Sequence, residues 1–205
     1  MVASPSLPQT ARRPGAGSAE LALLRGHPVF GALEPGQLEQ LVSYARTRRV
    51  PAGTTLEIAS IRGIPLYDGD VETESGIPEA VRALKDRIAA SSGLLLVTPE
   101  YNNSIPGVFK NAIDWLTRPP NDIARVWGDR PVAVIGATPG RGGTLLSQAA
   151  WLPVLRTLGT RPWFGGRLQV ASAGSVFDEE GRLVDERVRE QLKKFLDGFA
   201  AFVAG

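Results

Sequence analysis

The sequence predicts an α/β fold built on a parallel sheet, and three observations carry that expectation. From Thr54 onward, short apolar runs alternate with amphipathic segments of helical period. Leu94–Thr98 is a continuous apolar run of the kind found in parallel strands buried on both faces. The loops that follow Thr98 and Ala137 are rich in proline and glycine, and ligands of open α/β sheets bind beyond the carboxyl ends of the strands.

In chain order, residues 1–19 are mostly Ala, Ser, Pro, Gly and Arg, a composition that offers too little apolar surface to offset ordering, so a disordered tail is expected. Residues 20–53 read as a helical segment. Pro35 suits the first helical position, Leu38, Leu41, Val42 and Ala45 share one face, and Arg46–Pro51 supplies carboxy-terminal cations and a stop. The main domain is expected over 54–205. Its predicted elements are a strand at Thr54–Ala59, a helix at Pro78–Ala90 with Val81, Leu84 and Ile88 inward, and the Leu94–Thr98 strand. A helix at Pro106–Leu116 and a strand at Val132–Ala137 follow. Gly143–Leu158 reads as a helix with Pro153 as a candidate kink, Leu168–Ala171 as a last strand, and Val184–Val203 as a closing helix. Lys85-Asp86-Arg87 reads as a solvated helix face, and the four tryptophans as packing or subunit-interface residues.

Composition narrows the chemistry. With 205 residues, one main domain is expected, and with no cysteine, disulfides, thiolate nucleophiles and cysteine-ligated metals are excluded. The only histidine, His27, lies outside the α/β stretch, so neither a Ser-His-Asp arrangement nor a metal site is expected. Arg12 and Arg13, in a tail without acids before Glu20, account for the net charge of +2; the remainder is balanced, and nucleic acid is not an expected partner. No apolar run reaches the ~18 residues of a membrane span, and no secretory signal is visible, so a cytoplasmic location without membrane contact is expected.

Ligand chemistry is expected in the two loops. Thr98–Pro106 sets Glu100, Tyr101 and Asn102 between Pro99 and Pro106, whose fixed φ values shape the backbone. Thr138–Gly143 contains Gly140, Gly142 and Gly143, which allow close approach to a ligand, and it runs into a helix amino terminus. The run Pro99-Glu100-Tyr101-Asn102, followed by Ser104-Ile105-Pro106-Gly107 and Lys110-Asn111-Ala112-Ile113-Asp114-Trp115, resembles the signature of NAD(P)H-dependent FMN reductases. The resemblance continues through Ile64-Pro65-Leu66-Tyr67-Asp68 and Gly142-Gly143. It implies a flavodoxin-like doubly wound sheet, FMN as cofactor, NAD(P)H as co-substrate, and a quinone or similar small-molecule electron acceptor. It further implies that Pro99, Glu100, Tyr101 and Asn102 run along the isoalloxazine ring and that Gly140, Gly142 and Gly143 close over the flavin. The family also implies a homodimer or homotetramer. Because the flavin carries the chemistry, no catalytic side chain and no metal ligand is expected.

The chain departs from that pattern at its start. The family opens with an apolar strand and Gly-Ser-x-Arg-x-x-Ser-x-Asn, which holds the FMN phosphate at a helix amino terminus. Here Gly17-Ser18 is followed by Glu20 where the arginine belongs. In that place Leu24–Leu33, the helix to Arg49 and Pro51–Leu56 resemble the opening of a cyclic-nucleotide-binding regulator domain, which implies a chimeric chain. The fold expected is therefore flavodoxin-like, truncated at its first strand, with a helical amino-terminal extension. Thr54–Ala59 is expected to pair with Leu94–Thr98, or else a stretch near Arg46–Val50 to insert between them. Weak flavin binding with riboflavin nearly as good as FMN is expected, and a non-catalytic flavodoxin-like remnant is the alternative. Cyclic nucleotides are not expected to bind, because the pocket-forming part of that second family is absent.

Overall fold

The computed structural model describes residues 54–178 and 181–205. The expectations for residues 1–19 and 20–53, and for an insertion near Arg46–Val50, lie outside the described residues. The chain runs α1 (Gly69–Ser75), α2 (Glu79–Ala90), β1 (Leu94–Val97), α3 (Gly107–Leu116), a 3-10 turn (Pro120–Asp122) and α4 (Ile123–Trp127). It continues through β2 (Pro131–Ala137), α5 (Leu145–Thr157), β3 (Arg161–Pro162), β4 (Gln169–Val170), α6 (Ala173–Val176) and α7 (Glu186–Ala204).

All described ladders are parallel. β2 is central: β1 lies along one edge, in register Leu94 to Val132 through Val97 to Ile135. On the other edge β3 pairs with Pro131 and Val132, and β4 with Gly136 and Ala137. The last strand expected at Leu168–Ala171 is thus shorter and has a companion in β3. The Trp163 amide still donates to the Val132 carbonyl at 2.8 Å, the segment with Gly165 and Gly166 then leaves the ladder, and the Trp163 ring packs edge-on against Phe195 of α7 at 4.8 Å.

Side-chain alternation along the strands builds two cores. Leu94, Leu96, Val132 and Val134 face α2, α3, α4 and α5, where Val81, Leu84, Ile88, Trp115, Trp127, Trp151 and Leu155 are buried. Leu95, Ala133 and Ile135 face α7 through Val188, Leu192, Phe195 and Phe199. Helices therefore cover both faces, as a doubly wound sheet requires. α5 continues through Pro153, and α3 starts from Pro106 as its amino-terminal cap residue.

Three expectations are corrected. Thr54–Ala59 forms no strand and does not pair with β1; the segment is largely exposed. Its polar groups meet α2 instead, where the Arg87 guanidinium donates to Glu57 Oε1 at 2.6 Å and to the Ile58 carbonyl at 2.8 Å. β1 is not buried on both faces, since Val97 is 39% exposed and β2 is its only ladder partner among the described residues. Lys85 is not solvated: it is 3% exposed, with Nζ donating to the Arg118 carbonyl at 2.6 Å and to Asp122 Oδ2 at 2.5 Å. That pairing lowers the pKa of Asp122, with Arg125 assisting.

The two upstream motifs form one packing unit. The Pro65 carbonyl accepts from Asn111 Nδ2 at 2.8 Å and Trp115 Nε1 at 2.9 Å, while Asn111 Oδ1 accepts from the Tyr67 amide at 2.8 Å. The Tyr67 ring meets Trp115 edge-on at 4.9 Å, and its hydroxyl donates to Glu72 Oε2. The Arg118 guanidinium donates to both oxygens of Glu72 and lowers its pKa, and the hydrogen bond to Glu72 raises that of Tyr67. This network fixes the 64–72 segment onto α3 and the Arg118 that follows it.

Candidate functional site

Both glycine- and proline-rich loops leave the carboxyl edge of the sheet side by side. The Thr98 amide donates to the Ile135 carbonyl at 2.9 Å, extending the β1 to β2 ladder to the loop. The Thr138 amide donates to Val170 at 3.0 Å, and the Ser172 amide to Gly140 at 3.0 Å, which ties the second loop to the end of β4. Gly136 makes this convergence close: a Cβ there would lie 2.0 Å from the Thr98 carbonyl oxygen and 2.7 Å from Thr144 Oγ1. Only glycine fits.

The first loop is shaped by a turn as well as by its prolines. Tyr101 and Ser104 exchange backbone hydrogen bonds at 3.2 and 3.0 Å around Asn102 and Asn103. Those two residues have φ of 49° and 61°. Two consecutive left-handed residues close a tight hairpin turn, and asparagine is the non-glycine residue best suited to that region. The second loop ends at Gly143, with φ of 63° and a position where a Cβ would lie 2.9 Å from the Gln169 carbonyl oxygen.

Between the loops lies a cleft of about 480 Å³, within the ~300–1,000 Å³ of small-molecule sites. Of the residues expected from sequence, Glu100, Asn102, Gly140, Gly142 and Gly143 line it, joined by Asn103, Thr138, Arg141, Leu145 and Leu146. Pro99 and Tyr101 do not line it. Pro99 accepts from Thr98 Oγ1 at 2.8 Å, and Tyr101 closes the turn with its backbone. A Cβ at Gly142 would meet nothing within 4 Å, so the missing side chain leaves space on that wall. Leu145 and Leu146, 52% and 47% exposed, give the rim apolar surface. A flat, largely apolar heterocycle with polar edges fits this mixture of exposed backbone, glycine and leucine. Among the described residues the lining holds one cation, Arg141, and one carboxylate, Glu100.

Beneath the cleft, Thr98, Thr144 and Ser147 are 0–1% exposed. Ser147 Oγ lies 3.2 Å from Thr98 Oγ1, and the Ser147 amide donates to Glu100 Oε2 at 2.9 Å. Sequence reasoning missed this floor. Thr144 and Ser147 at the helix start were the available signal, since Ser and Thr favour such positions. A second hollow of about 520 Å³, lined by Leu152, Pro153, Arg156 and Thr157 on the outer side of α5, receives no strand-end loop.

The description "NADPH-dependent FMN reductase" belongs to the family model that matches residues 29–174. The chain belongs to this family. The match opens at residue 29, inside the segment that resembles a regulator domain. An NAD(P)H-dependent FMN reductase of Pseudomonas aeruginosa is 37% identical over 175 residues, covering 85% of this chain and 92% of the relative. A 2-hydroxy-1,4-benzoquinone reductase of a Burkholderia species is 36% identical, covering 85% and 93%. Among solved structures, FerB, a flavoenzyme NAD(P)H:(acceptor) oxidoreductase from Paracoccus denitrificans, superimposes with a TM-score of 0.68 at 33% identity, covering 81% of this chain and 88% of its own. The fold is therefore flavodoxin-like α/β. The protein is an oxidoreductase of the FMN reductase type, with FMN as cofactor and NAD(P)H as electron donor. No helix among the described residues is long and apolar enough to cross a membrane.

Proposed function

We propose that this protein reduces a quinone, or a related small-molecule acceptor, with NAD(P)H, using FMN held between the Thr98–Ser104 and Thr138–Gly143 loops. The observation that carries the reading is the convergence of these loops over one cleft at the carboxyl edge of a parallel sheet. When bound, FMN supplies the two-electron chemistry that links the two substrates; overall, NAD(P)H, a proton and the quinone become NAD(P)⁺ and hydroquinone. The chain's own groups bind and orient. Asn102, Gly140, Gly142 and Gly143 present backbone and open space to the ring, with Glu100 beside them. Pro99 and Tyr101 act behind the wall by shaping the turn. Arg141, exposed on the rim, suits the phosphates of the nicotinamide nucleotide. No side chain is assigned an acid or base role.

The reading includes weak flavin binding. Its support is the sequence, which lacks the Gly-Ser-x-Arg-x-x-Ser-x-Asn phosphate segment, together with a cleft whose lining among the described residues carries one cation, Arg141. Losing about three hydrogen bonds to a charged group, at roughly 1.5–3 kcal/mol each, weakens binding by several decades. Riboflavin should then bind nearly as well as FMN. A cytoplasmic homodimer or homotetramer completes the reading; Val108 of α3 and Leu152 of α5, 40% and 44% exposed, offer apolar surface for a second copy.

The test is NAD(P)H oxidation with benzoquinone at a series of FMN concentrations, alongside fluorescence titration with FMN and riboflavin. Turnover that requires both added flavin and quinone is expected. No turnover at saturating FMN would favour the non-catalytic remnant, and tight FMN binding with strong preference over riboflavin would refute the weak-binding part.

A further inference from the structure

The helix that begins at the glycine loop lacks its own cap. Thr144, the amino-terminal cap residue of α5, makes no side-chain capping bond. Its hydroxyl oxygen instead accepts from Gln148 Nε2 at 2.9 Å. The amide of Ser147 in the first turn is satisfied from 47 positions away in sequence, by Glu100 Oε2 at 2.9 Å. A carboxylate at this place meets both an otherwise unpaired donor and the positive end of the helix. Beneath it, Thr98 Oγ1 gives its proton to the Pro99 carbonyl, so the 3.2 Å contact with Ser147 Oγ has Ser147 as donor. Two bonds thus join the first loop to the start of α5. Thr98 and Ser147 are buried and belong to the floor, whereas Glu100 is half-buried and lines the cleft itself.

We propose that Glu100 is a positioning residue: its carboxylate spans from the first loop to the Ser147 amide and sets the width of the cleft between the two loops. One oxygen suffices for the span, and Oε1 has no hydrogen-bond partner among the described residues. The role is reach and acceptance, not proton transfer. Glutamine can substitute, because its carbonyl oxygen accepts in the same place; aspartate cannot, because it keeps the charge but is one methylene short. Alanine removes the span. The consequence for flavin rests on the cleft being the flavin site, whereas the span itself is a property of the protein without ligand.

The experiment compares wild type, Glu100→Gln, Glu100→Asp and Glu100→Ala by two readouts. Amide hydrogen exchange at Ser147 in the flavin-free protein reads the span. Titration with FMN and with riboflavin reads the cleft. Loss of one intramolecular hydrogen bond corresponds to a factor of about three to ten. Exchange at Ser147 is therefore expected to quicken by about that factor in the Ala and Asp variants and to stay near wild type in the Gln variant. Both flavins should weaken by a similar factor in the same two variants. Unchanged exchange in the Asp and Ala variants overturns the proposal, as does an Asp variant that behaves like wild type while Gln behaves like Ala, which would show that charge alone matters. Failure of the functional reading looks different, because the wild type itself would then bind neither flavin. Should the Ala variant fail to fold, the Gln and Asp pair carries the same decision.

Discussion

The segment that packs on α3 and the cleft at the end of the sheet are built in opposite ways. At the first, Pro65, Tyr67 and Glu72 meet Asn111, Trp115 and Arg118 through side-chain hydrogen bonds, an aromatic edge contact and an ion pair. The buried Lys85 to Asp122 pair lies on the same side of the sheet. At the second, glycine, asparagine in a left-handed turn and one carboxylate that joins two loops shape the walls, with Leu145 and Leu146 on the rim. Side chains fill the first region; their absence shapes the second. Stability and ligand binding should therefore respond to different substitutions, and that separation can be tested.

The largest effect is expected at Asp122. Asp122→Ala would leave the Lys85 ammonium, 3% exposed, with the Arg118 carbonyl as its one hydrogen-bond partner among the described residues. Removing one partner of a buried pair costs about 3–5 kcal/mol, and since Asp122 is itself partly exposed, about 2–3 kcal/mol is expected. Urea denaturation should show the loss, while flavin affinity of the folded variant stays unchanged. An equal loss of affinity would erase the separation.

Gly143→Ala should do the reverse in part. It places a Cβ at φ of 63° and 2.9 Å from the Gln169 carbonyl, so a stability loss of about 1–2 kcal/mol is expected together with clearly weaker flavin binding. Affinity unchanged in the folded variant would remove the glycine loop from the site. Smaller still, Asn103→Ala should cost about 1 kcal/mol through its left-handed backbone, and its larger effect should appear in the KM for the acceptor or in flavin affinity.

Acid sensitivity sharpens the same comparison. Hydrogen bonds from Arg118 lower the pKa of Glu72, and those from Lys85 and Arg125 lower that of Asp122. A carboxyl whose pKa is lower folded than unfolded contributes stability that is fully present above its unfolded value and is lost as pH falls through its folded one. Stability should accordingly hold from neutrality down to the ordinary carboxylate range and decline below it. Glu72→Gln should shallow that decline in urea midpoints measured across acidic pH, and an unaltered slope would discount the Arg118 pair.

Much of this architecture was legible because it is local. Periodicity located β1, β2, α2, α3, α5 and α7 to within a few residues, and the paired loops stood out by their prolines and glycines. What escaped depends on partners distant in sequence. Lys85 sits in a charged run that looks solvated until Asp122, 37 positions on, is brought against it. Thr54–Ala59 has strand-like composition, but a strand exists only where a neighbour accepts its hydrogen bonds, and Arg87 takes that place. The turn at Asn102 and Asn103 was not anticipated, although asparagine is a residue type that tolerates the positive φ found there. Ser147 at a helix start hinted at the floor, but nothing local pointed to Glu100, 47 positions away, as the partner of its amide.

The location of the flavin in the cleft between the two loops is the central claim. Backbone amide chemical shifts recorded during titration of the full chain with FMN would report it residue by residue. The largest changes are expected in Thr98–Ser104 and from Thr138 to Ser147, on both walls of the cleft. Changes centred instead on Leu152, Arg156 and Thr157, at the hollow on the outer side of α5, would contradict it.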